Sequence, residues 1–275
     1  MDHRSSSLEA SADPCVASNK PAHKMKDRMK PLLLLGVGRS GTTMTMRMFA
    51  SHKRIIAEET YPLEYTPMQA AVYPQDTRAQ ERGAGIKSVS EAYVFYSDLA
   101  VRARKQPVYF AEKYPLWRDP TELIRQFPAA RFVCIVRDPR DAVLSARALD
   151  RRRGFHGFAE KDGDTEEVVA ERYVNAYKRL IAKLDSLKAP MFRYEDVMSD
   201  PVGVMMGIFR AIDLEVDALE AKAIVDRAHS LEDGRHRTAG HQPTERWRTE
   251  MPPRLKTLYA DRFGDILLRF GYAVC

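Results

Sequence analysis

Cysteine is scarce in this chain. Cys15, Cys134 and Cys275 are the three thiols in 275 residues, and no two of them have the spacing of a metal site or a disulfide framework. The seven histidines are scattered as well, so a resident metal is not expected. Long apolar runs are also missing. None approaches the roughly 18 residues of a membrane span, and the first thirty residues carry no apolar core of a signal peptide. Residues 1–30 are polar and mixed in charge, which suggests a disordered tail ahead of a single domain over 31–275. A soluble, cytoplasmic protein with no membrane partner is the expectation. Charge of one sign is not in large excess: 44 Lys and Arg stand against 38 Asp and Glu, a net of +6. A dedicated nucleic-acid binder concentrates a larger excess on one recognisable module, so nucleic acid is not expected as a partner.

The chain does have a glycine-rich turn in a telling position. Leu32 to Leu35 form an apolar run, Gly36-Val37-Gly38-Arg39-Ser40-Gly41-Thr42-Thr43 follows, and a helical pattern begins at once. A strand, a glycine loop and a helix N-terminus together cradle a phosphate. The loop's N–H groups turn inward and the helix end adds roughly half a positive charge. Two familiar fingerprints overlap here. Gly36, Gly38 and Gly41 have the spacing of a dinucleotide loop, and the run Arg54 to Glu59 places an acid about 18 residues on. Read as a P-loop, the segment has Thr42 where the phosphate-binding lysine belongs, so a kinase or NTPase loses its main cation.

A second strand–turn–helix pattern separates these readings. Phe132 to Val136 reads as a buried strand, Arg137 stands at its end, Pro139 is preset for a first helical turn, and Ser145 follows about two turns into the helix. A strand-end guanidinium and a helical hydroxyl can share a second phosphate. Neither a dehydrogenase nor a kinase requires one. The bland alternative pairs Arg137 with Asp138 or Asp141 and leaves Ser145 without a role.

With these motifs in order, the chain resembles the sulfotransferases that use 3′-phosphoadenosine 5′-phosphosulfate, PAPS. The loop is similar to that family's 5′-phosphosulfate motif, which implies that Gly38, Arg39, Ser40, Gly41, Thr42 and Thr43 bind the cofactor. Arg137 and Ser145 match its 3′-phosphate motif. Ala111 to Pro115 resembles its short lysine motif and sets Lys113 beside the bridging or leaving oxygen, and Phe192 to Pro201 resembles a further stretch. Glu58-Glu59-Thr60 is similar to the acidic pair of the members that act on protein tyrosine. The match implies Glu59 as general base with Glu58 as its neighbour, the spacing being one residue shorter here. Many members use a histidine, which keeps His52 and His156 as alternatives. The resemblance implies a P-loop-like α/β domain with a central parallel sheet flanked by helices. It also implies in-line sulfuryl transfer to a hydroxyl of a carbohydrate, a tyrosine or other phenol, or a small metabolite, with adenosine 3′,5′-bisphosphate as product and no metal. The other readings are a P-loop nucleotide kinase or NTPase and a non-enzymatic nucleotide-binding protein.

The remaining pattern predicts helices over 88–105, 121–127, 166–187, 202–212 and 219–228, then two short ones at 253–263 and 266–270, with short strands at 108–111 and 191–194. Tyr93, Tyr96, Leu99 and Ala100 form a helical stripe that reads as core. Arg147, Arg151, Arg152 and Arg153 cluster past the second phosphate helix, either at the cofactor or as a solvated helix end. Residues 230–250 are poor in apolar residues, and the resemblance makes their counterpart a cover over the nucleotide. Arg235, His236, Arg237 and Trp247 are the candidates there, with Trp247 expected chiefly to anchor the last helices.

Overall fold

Among the described residues, five parallel strands occur in the order β2-β3-β1-β4-β5. The computed structural model describes residues 29–57, 88–153, 161–231 and 244–274. Glu58, Glu59, His156, Arg235, His236, Arg237, Cys15, Cys275 and most of the proposed tail lie outside them.

The strands are β1 (Lys30–Leu35), β2 (Ile55–Ala57), β3 (Tyr109–Lys113), β4 (Arg131–Val136) and β5 (Met191–Arg193). β1 lies between β3 and β4, with Leu33 opposite Glu112 on one side and Phe132 on the other. Side chains alternate across the sheet, and both faces are covered, which is why the central strands read as continuous apolar runs. Leu33, Leu35, Phe110, Cys134 and Val136 enter one core. Leu32, Leu34, Tyr109, Val133 and Ile135 enter the other.

The first core packs under α2 (Val89–Arg102), α4 (Pro139–Arg153), α5 (Glu166–Leu187) and α10 (Pro253–Arg269), the second under α1 (Thr42–Ser51), α7 (Pro201–Ala211) and α8 (Ala218–Ser230). Three short helices complete the described elements: α3 (Thr121–Gln126), α6 (Tyr194–Ser199) and α9 (Arg246–Glu250). Local chemistry sets their starts. Ser88, Thr165, Asp200 and Asp217 each accept an N–H of the first turn of α2, α5, α7 and α8. The stripe of α2 is core, as its spacing predicts, with Tyr93, Tyr96 and Ala100 buried.

The end of the chain differs from expectation. Instead of two short helices, α10 runs unbroken through Gly264. A glycine inside a helix costs roughly 1 kcal/mol. Burial of Tyr259 and Phe263 before it and Ile266 and Leu267 after it, all against the same core, outweighs that cost. α6 and α9 were also not expected, being too short to show a period.

Strand order bears on the competing readings of the glycine loop. A dinucleotide fold sets the strand after the loop helix beside the loop strand. Here β3 separates β2 from β1. The acid about 18 residues past the loop therefore does not follow a neighbouring strand, and the dinucleotide reading loses its geometric basis.

Candidate active site

The site lies where β1, β3 and β4 end. Gly36 takes the chain off β1 against β4, so closely that a Cβ would come within 2.5 Å of Thr42 Cγ2 and 2.9 Å of the Ile135 carbonyl oxygen. The Val37 carbonyl then accepts the Ser40 N–H at 3.2 Å and its hydroxyl at 2.7 Å, closing the turn around a fully buried Ser40. Arg39 has φ 71° and Gly41 φ 94°, both left-handed. Such alternation turns successive N–H groups toward one concavity, an anion nest. A Cβ at Gly38 would meet nothing within 4 Å, so the space beside the loop is open.

The helix that follows leaves its N-terminus free for a ligand. Gly41 caps α1 without a side chain, and no acid occupies its first turn. The first N–H groups of a helix need acceptors from outside it, and a phosphate supplies them.

Basic side chains reach this point from three elements. Lys113, last in β3, donates from Nζ to Thr43 Oγ1 at 3.3 Å. A cation from the adjacent strand thus stands at the loop, where Thr42 supplies none. Arg39 Nε donates to Ser145 Oγ at 3.2 Å. Arg137 Nη1 donates to the Arg39 carbonyl at 3.0 Å. The loop residues Gly38, Arg39, Ser40, Gly41, Thr42 and Thr43 are thus brought together with Lys113, Arg137 and Ser145, which lie far from them in the chain. The Asp138 carboxylate, one of the two partners suggested for Arg137, is held by Arg140 at 3.0 and 2.7 Å.

Several positioning residues carry no signal that periodicity could reveal. Arg137, 4% exposed, has its guanidinium 4.4 Å from the centre of the Tyr194 ring, and its carbonyl accepts the Tyr177 hydroxyl at 2.7 Å. Tyr194 also covers Gly41, where a Cβ would come within 2.5 Å of its ring. The next residue, Glu195, accepts the Asp138 N–H at 3.0 Å and the Tyr272 hydroxyl at 2.8 Å. Tyr194 and Glu195 fall in the Phe192 to Pro201 stretch singled out in the sequence, and their contacts give that stretch its role.

Trp247 anchors the late chain as expected. Its N–H donates to Asp141 Oδ1 at 2.9 Å and the Arg140 guanidinium lies 3.5 Å from its ring centre. Arg140 also donates to the carbonyls of Ala273 and Val274, fastening the end of the described chain to α4. Burial pushes the Asp141 carboxyl up to about 6, against the lowering effect of the Trp247 N–H and of Arg137. A polar cavity of about 240 Å³ adjoins this clasp, lined by Asp138, Asp141, Glu195, Trp247 and Tyr272 among others.

Other candidates lie elsewhere. His52 caps the far end of α1, about 15 Å along a helix of ten residues from the loop. Its Nδ1 accepts the Arg54 N–H at 3.1 Å, its ring lies 4.9 Å from Phe209, and burial holds its pKa down. It is a core residue and no base for this site. In the arginine cluster, Arg147 pairs with Glu166 at 2.8 Å while Arg151 and Arg152 are exposed. Among the described residues no group of acids, histidines or cysteines could hold a metal, and no helix is long and apolar enough to cross a membrane.

Comparison with known proteins agrees with this geometry. The model of the sulfotransferase family matches residues 31–218. An omega-hydroxy-beta-dihydromenaquinone-9 sulfotransferase of Mycobacterium bovis is 27% identical over 182 residues, 61% of this chain and 44% of that protein; the same match holds for Mycobacterium tuberculosis. The chain thus spans under half the length of the curated relatives it matches. The sulfotransferase domain of the curacin biosynthetic pathway superposes with a TM-score of 0.59 at 19% identity, covering 89% of this chain and 98% of its own. A mouse sulfotransferase complexed with PAP gives 0.55 at 13% identity, covering 91% and 89%. Retinol dehydratase, in complex with androsterone and inactive cofactor PAP, gives 0.53 at 16%, covering 90% and 85%.

Proposed function

Because the chain belongs to the sulfotransferase family, we propose that it transfers the sulfuryl group of PAPS to a hydroxyl acceptor and releases adenosine 3′,5′-bisphosphate. One observation carries the reading: the glycine loop and the Arg137–Ser145 motif are joined directly, through Arg39 to Ser145 at 3.2 Å and Arg137 to Arg39 at 3.0 Å. Two adjoining anion sites suit a nucleotide with phosphate groups at both ends. A P-loop kinase needs only the first.

The residues fit that cofactor. The open nest, the uncapped α1 N-terminus, Thr42 and Thr43 would hold the 5′ end, and Arg137 and Ser145 the 3′-phosphate. PAPS, when bound, supplies an activated sulfuryl group on a bisphosphate leaving group. Such transfers pass through a loose transition state, and the protein's work is to position the partners and neutralise charge. Lys113 and Arg39 place two cations by the loop for charge growing on the leaving oxygen. The proton of the acceptor hydroxyl needs a base, and by resemblance that base is Glu59, with Glu58 beside it.

The acceptor is a carbohydrate, a tyrosine or other phenol, or a small metabolite. The acidic pair at Glu58 and Glu59 favours the tyrosine-type branch, while the mycobacterial relatives, omega-hydroxy-beta-dihydromenaquinone-9 sulfotransferases, favour a hydroxyl on an apolar metabolite. The test is turnover of PAPS against an acceptor panel by wild type and Glu59→Gln. The variant should keep affinity for adenosine 3′,5′-bisphosphate and lose at least about 100-fold in kcat. Undiminished kcat would remove Glu59 as the base and move the test to Glu58→Gln.

A further inference from the structure

Two buried groups of opposite charge stand on either side of the Trp247 amide, each with one hydrogen-bonding atom left over. Asp141 is fully buried; its Oδ1 accepts the Trp247 N–H, while Oδ2 has no hydrogen-bond partner among the described residues. Arg246 is 7% exposed; its Nε and Nη2 grip the Glu250 carboxylate at 2.7 Å each, while Nη1 has no such partner. The two are close enough that the charge of Asp141 is felt at Arg246. Leaving a buried donor or acceptor unmade is costly, and charged groups cost the most.

Their surroundings tie them to the anion sites. Asp141 follows Arg137 by four residues and feels its charge, and Arg246 is joined to Asp141 through the Trp247 N–H that Asp141 Oδ1 accepts. A second phosphate does not suit the pair, since Asp141 would repel it. A neutral group that both donates and accepts satisfies both atoms at once.

We infer that Asp141 and Arg246 form a clip that takes one neutral donor–acceptor group of the bound nucleotide, Asp141 Oδ2 accepting its hydrogen and Arg246 Nη1 donating to it. This rests on the PAPS reading, and a nucleotide of that kind carries two such groups: the ribose 2′-hydroxyl and the amine-bearing edge of adenine. The clip makes Asp141 and Arg246 selectivity residues in addition to the phosphate ligands.

Calorimetry with three ligands tests it on the full chain: adenosine 3′,5′-bisphosphate, its 2′-deoxy analogue, and inosine 3′,5′-bisphosphate, in which donor and acceptor are exchanged. Wild type should bind one analogue about 10-fold or more weaker than the parent, the size expected for a hydrogen bond to a charged group. That ratio should collapse toward one in both Asp141→Asn and Arg246→Gln, and persist in Glu250→Gln, which breaks the fork but keeps Nη1. Loss against the 2′-deoxy analogue assigns the hydroxyl; loss against inosine assigns the base edge. A purely structural clasp would weaken all three ligands equally and leave the ratios intact, overturning the inference while the PAPS reading stands. Should Arg246→Gln not fold, Asp141→Asn decides alone by the same ratio. Absence of bisphosphate binding in wild type would overturn the PAPS reading itself, and the clip with it.

Discussion

Gly41 and Gly38 sit three residues apart in the same loop, yet they answer to different constraints. Gly41 is left-handed at φ 94°, and an added methyl carbon would come within 2.5 Å of Tyr194. A left-handed backbone costs an L-residue roughly 1–2 kcal/mol, before any displacement of the ring that packs on Arg137. Gly38 meets nothing, so its methyl would stand in the open nest. Gly41→Ala should therefore lower unfolding stability by at least about 1 kcal/mol and weaken bisphosphate binding as Tyr194 shifts. Gly38→Ala should leave stability within about 0.5 kcal/mol of wild type. Thermal unfolding of the two variants checks this; equal losses would mean that the loop's tolerance is not set by backbone hand and Tyr194. Arg39 bears the same left-handed strain without being glycine. Its side chain is the reason a costlier residue stands there, since it reaches Ser145.

At the scale of elements, α4 and α5 hold the proposed second anion site in register. Tyr177 of α5 donates to the Arg137 carbonyl from full burial, so Tyr177→Phe strands that carbonyl at a cost of about 1 kcal/mol. Arg137 would be less well placed, and affinity for the bisphosphate should fall several-fold although Tyr177 is not expected to contact it. Unchanged affinity in calorimetry would show that the strand end needs no such support. The α4–α9 clasp gives a pH signature. Asp141 titrates near 6 in the folded protein, above the ordinary 3.8, because burial penalises its charge. The folded state then holds a proton that the unfolded chain gives up, so stability falls as pH rises from about 4 to about 6 and is flat beyond. Asp141→Asn should abolish that slope and unfold later than wild type at pH 7, by on the order of 2 kcal/mol. Denaturation curves at pH 4 to 8 measure it. A less stable asparagine variant at pH 7 would mean that Arg137 and Arg246 already compensate the buried charge.

Across the whole molecule, what could be read from the sequence is what lies in short order along the chain. Each anion motif is a strand, a turn and a helix in one stretch, so the residues that form it are neighbours, and Lys113 ends a strand whose apolar run is visible. Parallel, doubly covered strands followed from the same runs. The supports were not legible, because they join distant elements. Tyr177 to Arg137, Tyr272 to Glu195, Trp247 to Asp141 and Arg140 to the carbonyls of Ala273 and Val274 span from 40 to 134 residues. No local period encodes such pairs. The unbroken α10 is hidden from the sequence pattern for a related reason: the cost of Gly264 is local, while the burial that offsets it is tertiary. His52, an alternative base by residue type alone, is core by position.

The proposed function requires that the glycine loop and the Arg137–Ser145 motif form one site for a nucleotide with phosphates at both ends. Calorimetric titration with adenosine 3′,5′-bisphosphate, ATP and NAD, on wild type and Arg137→Ala, tests it most directly. Wild type should bind the bisphosphate more tightly than either of the others, and Arg137→Ala should lose about 10- to 100-fold of that affinity, as removal of a charge-assisted phosphate contact does. Preference for ATP or NAD, or a bisphosphate affinity indifferent to Arg137→Ala, would contradict it.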